Sequence, residues 1–281
     1  METGGWAIVL DAEGRQNLLR RLRTYSQRSM ATISSRAVRP VFFMHIPKCG
    51  GTSISEALMA TVPVHNRRGD IDVVSTRRAA AMIHAGVDDP LLYHDDLATG
   101  AQVYALREGQ LLTHMAAGTK VVSGHVLFSE TAERFFGETY AFVTVMREPV
   151  ARVLSNFGHS AAEGLFPRDF DAYLSHYCAR SQGLMMLRFF AGRHEIAPGE
   201  EAEALAIAKA RVDRFDVIGF LDDLDGFCSA YRNALGVRPR VFRYNERRWP
   251  KATPTPEQRA RLETLMAPEI ALWEYAQKRR R

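Results

Sequence analysis

The stretch VFFMHIPKCGGTSISEALMA, residues 41–60, decides the fold of this 281-residue chain. Its first part, VFFMHI, is an apolar run with the length and the β-branched and aromatic content of a buried strand. Its last part, TSISEALMA, begins with hydroxyl side chains suited to a helix N-terminus and continues with helical spacing of Ile54 and Leu58. A lysine and two glycines lie between them. The order of strand, glycine-rich turn and helix predicts an α/β unit.

The turn inside this stretch has the composition of an anion-binding loop. Gly50 and Gly51 allow a close backbone approach and positive φ angles. Lys48 adds a full charge, and Thr52 and Ser53 add hydroxyl donors. Backbone N–H groups at a helix N-terminus, with the helix dipole behind them, attract anions. An ordinary turn with a surface lysine would not need these five residues together, so we interpret the loop as an anion site.

The position of the lysine argues against a Walker-type nucleotide hydrolase. That loop, GxxxxGK[ST], places its lysine after the glycines and directly before the hydroxyl that holds Mg²⁺. Here Lys48 precedes Gly50 and Gly51. No downstream segment reads as an apolar strand that ends in a magnesium-binding aspartate. The loop is therefore predicted to bind an anion in another way.

The rest of the chain continues the alternation of strands and helices. Further strands are predicted in KVVSGHVLF, TYAFVTVM, DVIGF and, as a possible fifth, RVFRYN at 240–245, with helices between them. Residues 61–98 show only turn signals, and 26–40 read as a connector after one basic helix. We predict a P-loop-like three-layer α/β fold with a central, mainly parallel sheet flanked by helices. Residues 1–38 form a peripheral basic segment, and 39–281 form a single domain.

Composition limits the function classes. A hydrophobic content of 46% allows a full core, and the net charge of +5 is too small to predict nucleic-acid binding but suits an anionic substrate. The three cysteines are far apart and lack metal-ligand spacing, so neither a zinc site nor a disulfide framework is predicted. The apolar run WAIVL is too short for a signal peptide or a membrane span. We expect a cytoplasmic protein without a metal or a transmembrane segment.

Three segments resemble one known family, the PAPS-dependent sulfotransferases. HIPKCGGTS is similar to their 5′-phosphosulfate loop, most closely that of the carbohydrate branch related to heparan sulfate 2-O-sulfotransferases and their bacterial relatives. VTVMREPVARVLSNF is similar to their 3′-phosphate element, in which a serine follows the arginine by eight residues. VVSGHVLF is similar to their GHV segment. Cys49 replaces the common threonine of the loop, and Ser123 replaces a histidine.

The resemblance implies a cofactor and a set of site residues. The donor would be PAPS, leaving PAP as product, and the acceptor would be a hydroxyl of a carbohydrate or glycolipid. Lys48 and His125 would be catalytic, with His125 as the general base; Glu56, four residues past Thr52, is the rival base. The cofactor-binding residues would be Lys48, Cys49, Gly50, Gly51, Thr52, Ser53, Arg147 and Ser155. His45 is expected to pack or hydrogen-bond beside the loop.

Two other function classes stay open at the level of sequence. An ATP-dependent small-molecule kinase would use the same strand, loop and helix, and would require magnesium. A non-catalytic protein would bind PAP or an anionic glycan without transferring sulfate. Four arginines in the irregular region are interpreted as solvated surface, with an acidic glycan as the alternative contact: Arg67, Arg68, Arg77 and Arg78.

Overall fold

The computed structural model describes residues 12–34, 39–89, 97–165, 168–242 and 252–279. Within them, five parallel strands form one sheet in the order β2-β3-β1-β4-β5. Helices cover both faces of this sheet. The strands are β1 (Val41–Met44), β2 (Arg68–Ile71), β3 (Val121–Gly124), β4 (Ala141–Met146) and β5 (Val217–Phe220).

The helices alternate with these strands along the chain, as the α/β prediction requires. In the described residues they are α1 (Ala12–Ser34), α2 (Gly51–Met59), α3 (Val73–Ala85), α4 (Leu97–Ala116), α5 (Glu130–Phe136), α6 (Pro149–Ala162), α7 (Phe170–Ser175), α8 (Tyr177–Gly183), α9 (Met185–Ala191), α10 (Glu201–Val212), α11 (Leu224–Leu235), α12 (Pro256–Leu265) and α13 (Ala267–Lys278).

The sheet separates two buried cores because successive strand side chains point to opposite faces. On one face, Val41 and Phe43 of β1 belong to a buried cluster with Leu58 of α2 and Tyr231 of α11. On the other face, Phe42 and Met44 belong to a second cluster, to which α4, α9, α10 and α13 contribute. Strands buried on both faces read as continuous apolar runs, which is why VFFM and AFVTVM were recognisable.

A buried ion pair fixes α6 against the C-terminal helix α13. Arg152 Nη2 lies 3.1 Å from Glu269 Oε1, and both side chains are fully buried. The Glu269 carboxylate also accepts backbone N–H groups of Met186 and Leu187, at 2.9 and 2.8 Å, at the start of α9. Since α6 begins two residues after Arg147, this network also determines how the chain leaves the carboxyl end of β4.

The structure corrects three element predictions. β2 and α3 lie in the region interpreted from sequence as turns, where HNRRGDID provides the strand. The predicted connector at 26–40 is helical as far as Ser34, because α1 continues through it. Residues 240–242 of the possible fifth strand form no strand, and 243–245 lie outside the described residues.

Candidate functional site

Three predicted site segments meet at the carboxyl edge of the sheet. β1 lies between β3 and β4, with Met44 paired to Gly124 on one side and to Thr144 on the other. His45 and His125 follow directly where β1 and β3 end, and Arg147 follows the last residue of β4. After β1 the chain forms β2 and β3 on one side of β1, and it then crosses to form β4 on the other side. The direction in which strands are added to the sheet therefore reverses at β1. In open α/β sheets ligands bind outside the carboxyl ends of the strands at such a point.

The loop after β1 contains two residues with positive φ, Lys48 and Gly50. Lys48 has φ +65°, and it is the one non-glycine residue of the described chain with positive φ. Gly50, with φ +75° and ψ +13°, is left-handed and forms the N-cap of α2. Alternating left-handed and helical residues turn successive N–H groups toward one point, and such backbone nests bind anions.

The N-terminus of α2 differs from that of α6 in its capping. No side chain of the described residues caps this helix. By contrast α6, which begins at the same edge of the sheet, is capped by its own Glu148, whose carboxylate accepts the N–H groups of Val150 at 3.0 Å and Ala151 at 2.6 Å. The amide groups of α2 are therefore the ones suited to an external anion.

Gly50 is required by its left-handed backbone, with φ +75°, and Gly51 is required by close packing. A Cβ on Gly51 would lie 1.9 Å from Cδ2 of the His45 ring, and a Cβ on Gly50 would lie 2.4 Å from Cδ1 of Leu221. His45 thus packs beside the loop, as expected.

The structure also explains Cys49: its side chain is 1% exposed and belongs to the buried cluster that contains Ile46 and Met146. Position 49 is an apolar position beneath the loop.

Arg147 stabilises the conformation of the loop. Its Nη1 donates to the backbone carbonyl of Lys48 at 3.0 Å, which joins the carboxyl ends of β4 and β1.

Burial lowers the pKa of Lys48 to about 8. The positive charge of the nearby Arg147 lowers this pKa further, and the negative charge of Glu163 raises it. A lysine with this pKa still carries its charge at neutral pH, and it is poorly solvated, which strengthens its attraction for an anion.

His125 lies in a positive and poorly solvated environment. Its ring contacts the His45 ring edge to face, with centroids 4.3 Å apart. Burial, and after it the charges of His45, Arg107, Arg77 and Lys48, hold the pKa of His125 well below its usual value. The imidazole is therefore neutral at physiological pH, which is the protonation state of a base.

Arg107 of α4 is a site residue that the sequence did not indicate. Its side chain is 4% exposed, and its Nη1 donates to the carbonyl of His125 at 3.2 Å. Its Nε donates to Thr76 Oγ1 of α3 at 3.0 Å. An arginine in the middle of a helix has no motif to mark it, so only the three-dimensional contact identifies it.

Arg77, interpreted from sequence as surface, is half-buried near His125, whereas Arg78 pairs with Asp88.

A buried hydrogen bond connects the loop helix to the strand that carries His125. Ser55 Oγ of α2 donates to Ser123 Oγ of β3 at 2.9 Å, and both side chains are buried. Ser123 is the position where the resembling family has a histidine. Here that position fixes α2 against β3 and presents no titratable group to the edge of the sheet.

The remaining predicted residues are less closely joined to the site. Glu56 points toward α1, where its Oε1 lies 2.9 Å from Arg20 Nε, and burial raises the pKa of its carboxyl. Thr52 is exposed and Ser53 half-buried on the first turn of α2, while Ser155 is half-buried on α6. In the described residues, no group of three or more His, Cys, Asp or Glu side chains is arranged to hold a metal ion.

A surface cleft of about 550 Å³ lies between α5 and α10 and contains none of the predicted site residues. Its walls carry two ion pairs, Arg211–Glu130 and Arg214–Glu133, in which each arginine is paired with a glutamate of α5.

Comparison with known proteins does not assign the chain to a family. No protein-family model matches it, and no curated protein is significantly similar to it. Among the described helices, none is long and apolar enough to cross a membrane.

Proposed function

We propose that this chain is a PAPS-dependent sulfotransferase that transfers a sulfuryl group to a hydroxyl of a carbohydrate or glycolipid. One observation carries the proposal: the open, lysine-bearing anion loop of α2 and the neutral His125 occupy the same edge of the sheet. An anion site beside a base is what transfer from an anionic donor to a hydroxyl requires. The P-loop-like fold, the cytoplasmic location and metal-independent transfer are parts of this proposal.

The residues present fit the donor. The N–H groups at Gly50 and Gly51 would receive the 5′-phosphosulfate, since the described residues provide no side-chain cap for the N-terminus of α2. Arg147, which follows β4, would bind a second phosphate, with Ser155 on the helix that follows. Cys49 would contribute only backbone, because its thiol is buried beneath the loop.

The proposed transfer divides between two side chains. His125 accepts the proton of the acceptor hydroxyl as that oxygen forms its bond to sulfur. Lys48 and the N–H groups of α2 stabilise the negative charge that develops on the phosphate oxygen as its bond to sulfur breaks. The products are the sulfate ester, PAP and the protonated imidazole, which returns its proton to solvent. Fixed cationic and N–H donors supply the charge stabilisation.

His125 suits the role of base better than Glu56. The Glu56 carboxylate is paired with Arg20 of α1, and the groups that act on His125 do not include it. His125, in contrast, is kept neutral by burial and by cationic neighbours. This assignment keeps Glu56 in a structural role at the junction of α1 and α2.

Incubation with labelled PAPS and a panel of glycans and glycolipids, followed by mass spectrometry for added sulfate, tests the function. Lys48→Ala should lower turnover by roughly 10²- to 10³-fold, the loss typical of one charge-stabilising donor. Thermal stabilisation by PAP and not by ATP would support the proposal. Magnesium-dependent ATP turnover would identify a kinase instead, and PAP binding without transfer to any acceptor would identify a binding protein.

Replacement of His125 separates catalysis from binding. His125→Ala should lower kcat by about 10²- to 10⁴-fold, as expected for loss of a general base. The affinity for PAP, measured by calorimetry, should stay within about twofold because the nest lies on α2. Glu56→Gln serves as the matched comparison and should retain most of kcat. A large loss of PAP affinity in His125→Ala would contradict the base assignment.

A further inference from the structure

Within residues 18–32, the part of α1 whose side chains the structure describes, the helix contacts the rest of the protein through polar side chains. Arg20 pairs with Glu56 of α2, and Thr32 Oγ1 accepts the N–H of Val64 at 3.0 Å. Arg28 donates to a row of backbone carbonyls beyond α2, those of Val62, Pro63, Val64 and Asn66. A surface helix normally places its apolar face inward. Here the inward face is held by hydrogen bonds and an ion pair.

The outward face of α1 is apolar. Leu18, Leu22 and Tyr25 recur at i, i+4 and i+7, and their exposed fractions are 46, 56 and 65%. Leu19 and Met30, exposed at 57 and 65%, widen this stripe on one side. Scattered exposed leucines are ordinary, but four large apolar side chains exposed together over about two turns of one helix mark an interaction surface.

The charges beside the stripe determine what kind of surface it suits. Arg21 and Arg23 lie at its two margins, Arg23 with its guanidinium 5.3 Å from the centre of the Phe242 ring, and residues 18–32 contain no carboxylate. Helices with an apolar face bordered by basic residues bind at the interface of anionic lipid bilayers. Pairing of two such helices would place the arginines of one copy against those of the other, which disfavours a second copy as the partner.

We propose that α1 docks the protein on an anionic lipid surface, with Leu18, Leu22 and Tyr25 in the acyl–headgroup boundary and Arg21 at the headgroups. The surface consists of residues outside the candidate site. The proposal therefore stands or falls independently of sulfuryl transfer.

Flotation of the full chain with vesicles tests this surface. The protein should float with vesicles that contain phosphatidylglycerol and stay behind with phosphatidylcholine alone. Leu22→Glu should lower the partition coefficient by roughly tenfold or more, since it removes a leucine from the boundary. Arg21→Gln should lower binding to the anionic vesicles by about fivefold relative to the wild type. Added salt should reduce this difference in binding between the wild type and Arg21→Gln.

Ile83→Glu is the matched control, because Ile83 is 65% exposed on α3 and lies outside the stripe. It should float like the wild type. Thermal melts of all variants should coincide, since the changed side chains are exposed. Failure of the wild type to float, or equal flotation with phosphatidylcholine, would overturn the proposal. So would a wild-type dimer that Leu22→Glu converts to a monomer, because the stripe would then bind a second copy.

Discussion

Lys48 combines a strained backbone with a poorly solvated charge. Its φ of +65° is uncommon for a residue with a Cβ, and Arg147 holds its carbonyl in that conformation. Such backbone strain persists only where the surroundings impose it, and it concentrates at ligand sites. The same burial that would strengthen the proposed binding of an anion by Lys48 also lowers its pKa to about 8. Its charge is therefore lost at a modestly alkaline pH.

The pH dependence of activity should report this titration. Lys48 is charged below pH 8 and neutral above it, so kcat/KM for the donor should fall about tenfold per pH unit above about pH 8. Steady-state kinetics across the alkaline range measure the effect. In Lys48→Arg, which stays charged, the residual activity should lack this alkaline limb. An unchanged limb in that variant would assign it to another group.

At the scale of elements, the packing of His45 on Gly51 joins strand β1 to helix α2. The ring occupies the space where any larger side chain at position 51 would extend. It also contacts His125 and so connects the anion loop with the proposed base. The second glycine of the loop is thus required by packing alone, whatever the loop binds.

Gly51→Ala should displace the His45 ring and destabilise the protein by about 1–3 kcal/mol, the usual cost of overpacking. Urea unfolding measures the change, and the affinity for PAP should fall with it. Gly109→Ala, on an open face of α4, is the control and should be neutral or slightly stabilising. In the double variant His45→Ala/Gly51→Ala the costs should be less than additive. Strict additivity would show that the contact is not the cause.

The elements that the sequence predicted well are those with a strong local signal. β1 and β4 are buried on both faces and therefore form continuous apolar runs, and Lys48, His125 and Arg147 could be placed because each follows a strand. β2 was missed because RGDI alternates exposed and buried residues over only four positions. The contacts of Arg107 with His125 and of Glu56 with Arg20 join residues far apart in sequence, so local patterns do not show them.

Across the whole molecule, the half-buried His45 and His125 couple stability to pH. Burial lowers the pKa of His45 to about 4, and burial with cationic neighbours lowers that of His125. In the unfolded chain both would titrate near pH 6.5. Below that pH the unfolded chain binds protons that the folded protein excludes. The contribution of these neutral rings to stability is therefore complete above pH 6.5 and declines as the pH falls.

The free energy of unfolding should decrease between pH 6.5 and about 4, by about 1.4 kcal/mol per pH unit for each fully coupled histidine. Urea titrations at a series of pH values measure the slope. His45→Gln should reduce it, whereas replacement of the exposed His65 by Gln should leave it unchanged. A slope that is the same in all three proteins would show that carboxyl groups dominate.

The burial of Cys49 has a consequence for chemical reactivity. Cys49 follows Lys48, lies near Arg147 and comes just before the N-terminus of α2. In such surroundings a thiol is ordinarily a reactive thiolate. Here burial raises its pKa to about 12, so the sulfur stays protonated and out of reach of oxidants and alkylating reagents. The loop can thus hold a sulfur atom next to its cationic residues without becoming a redox-sensitive site.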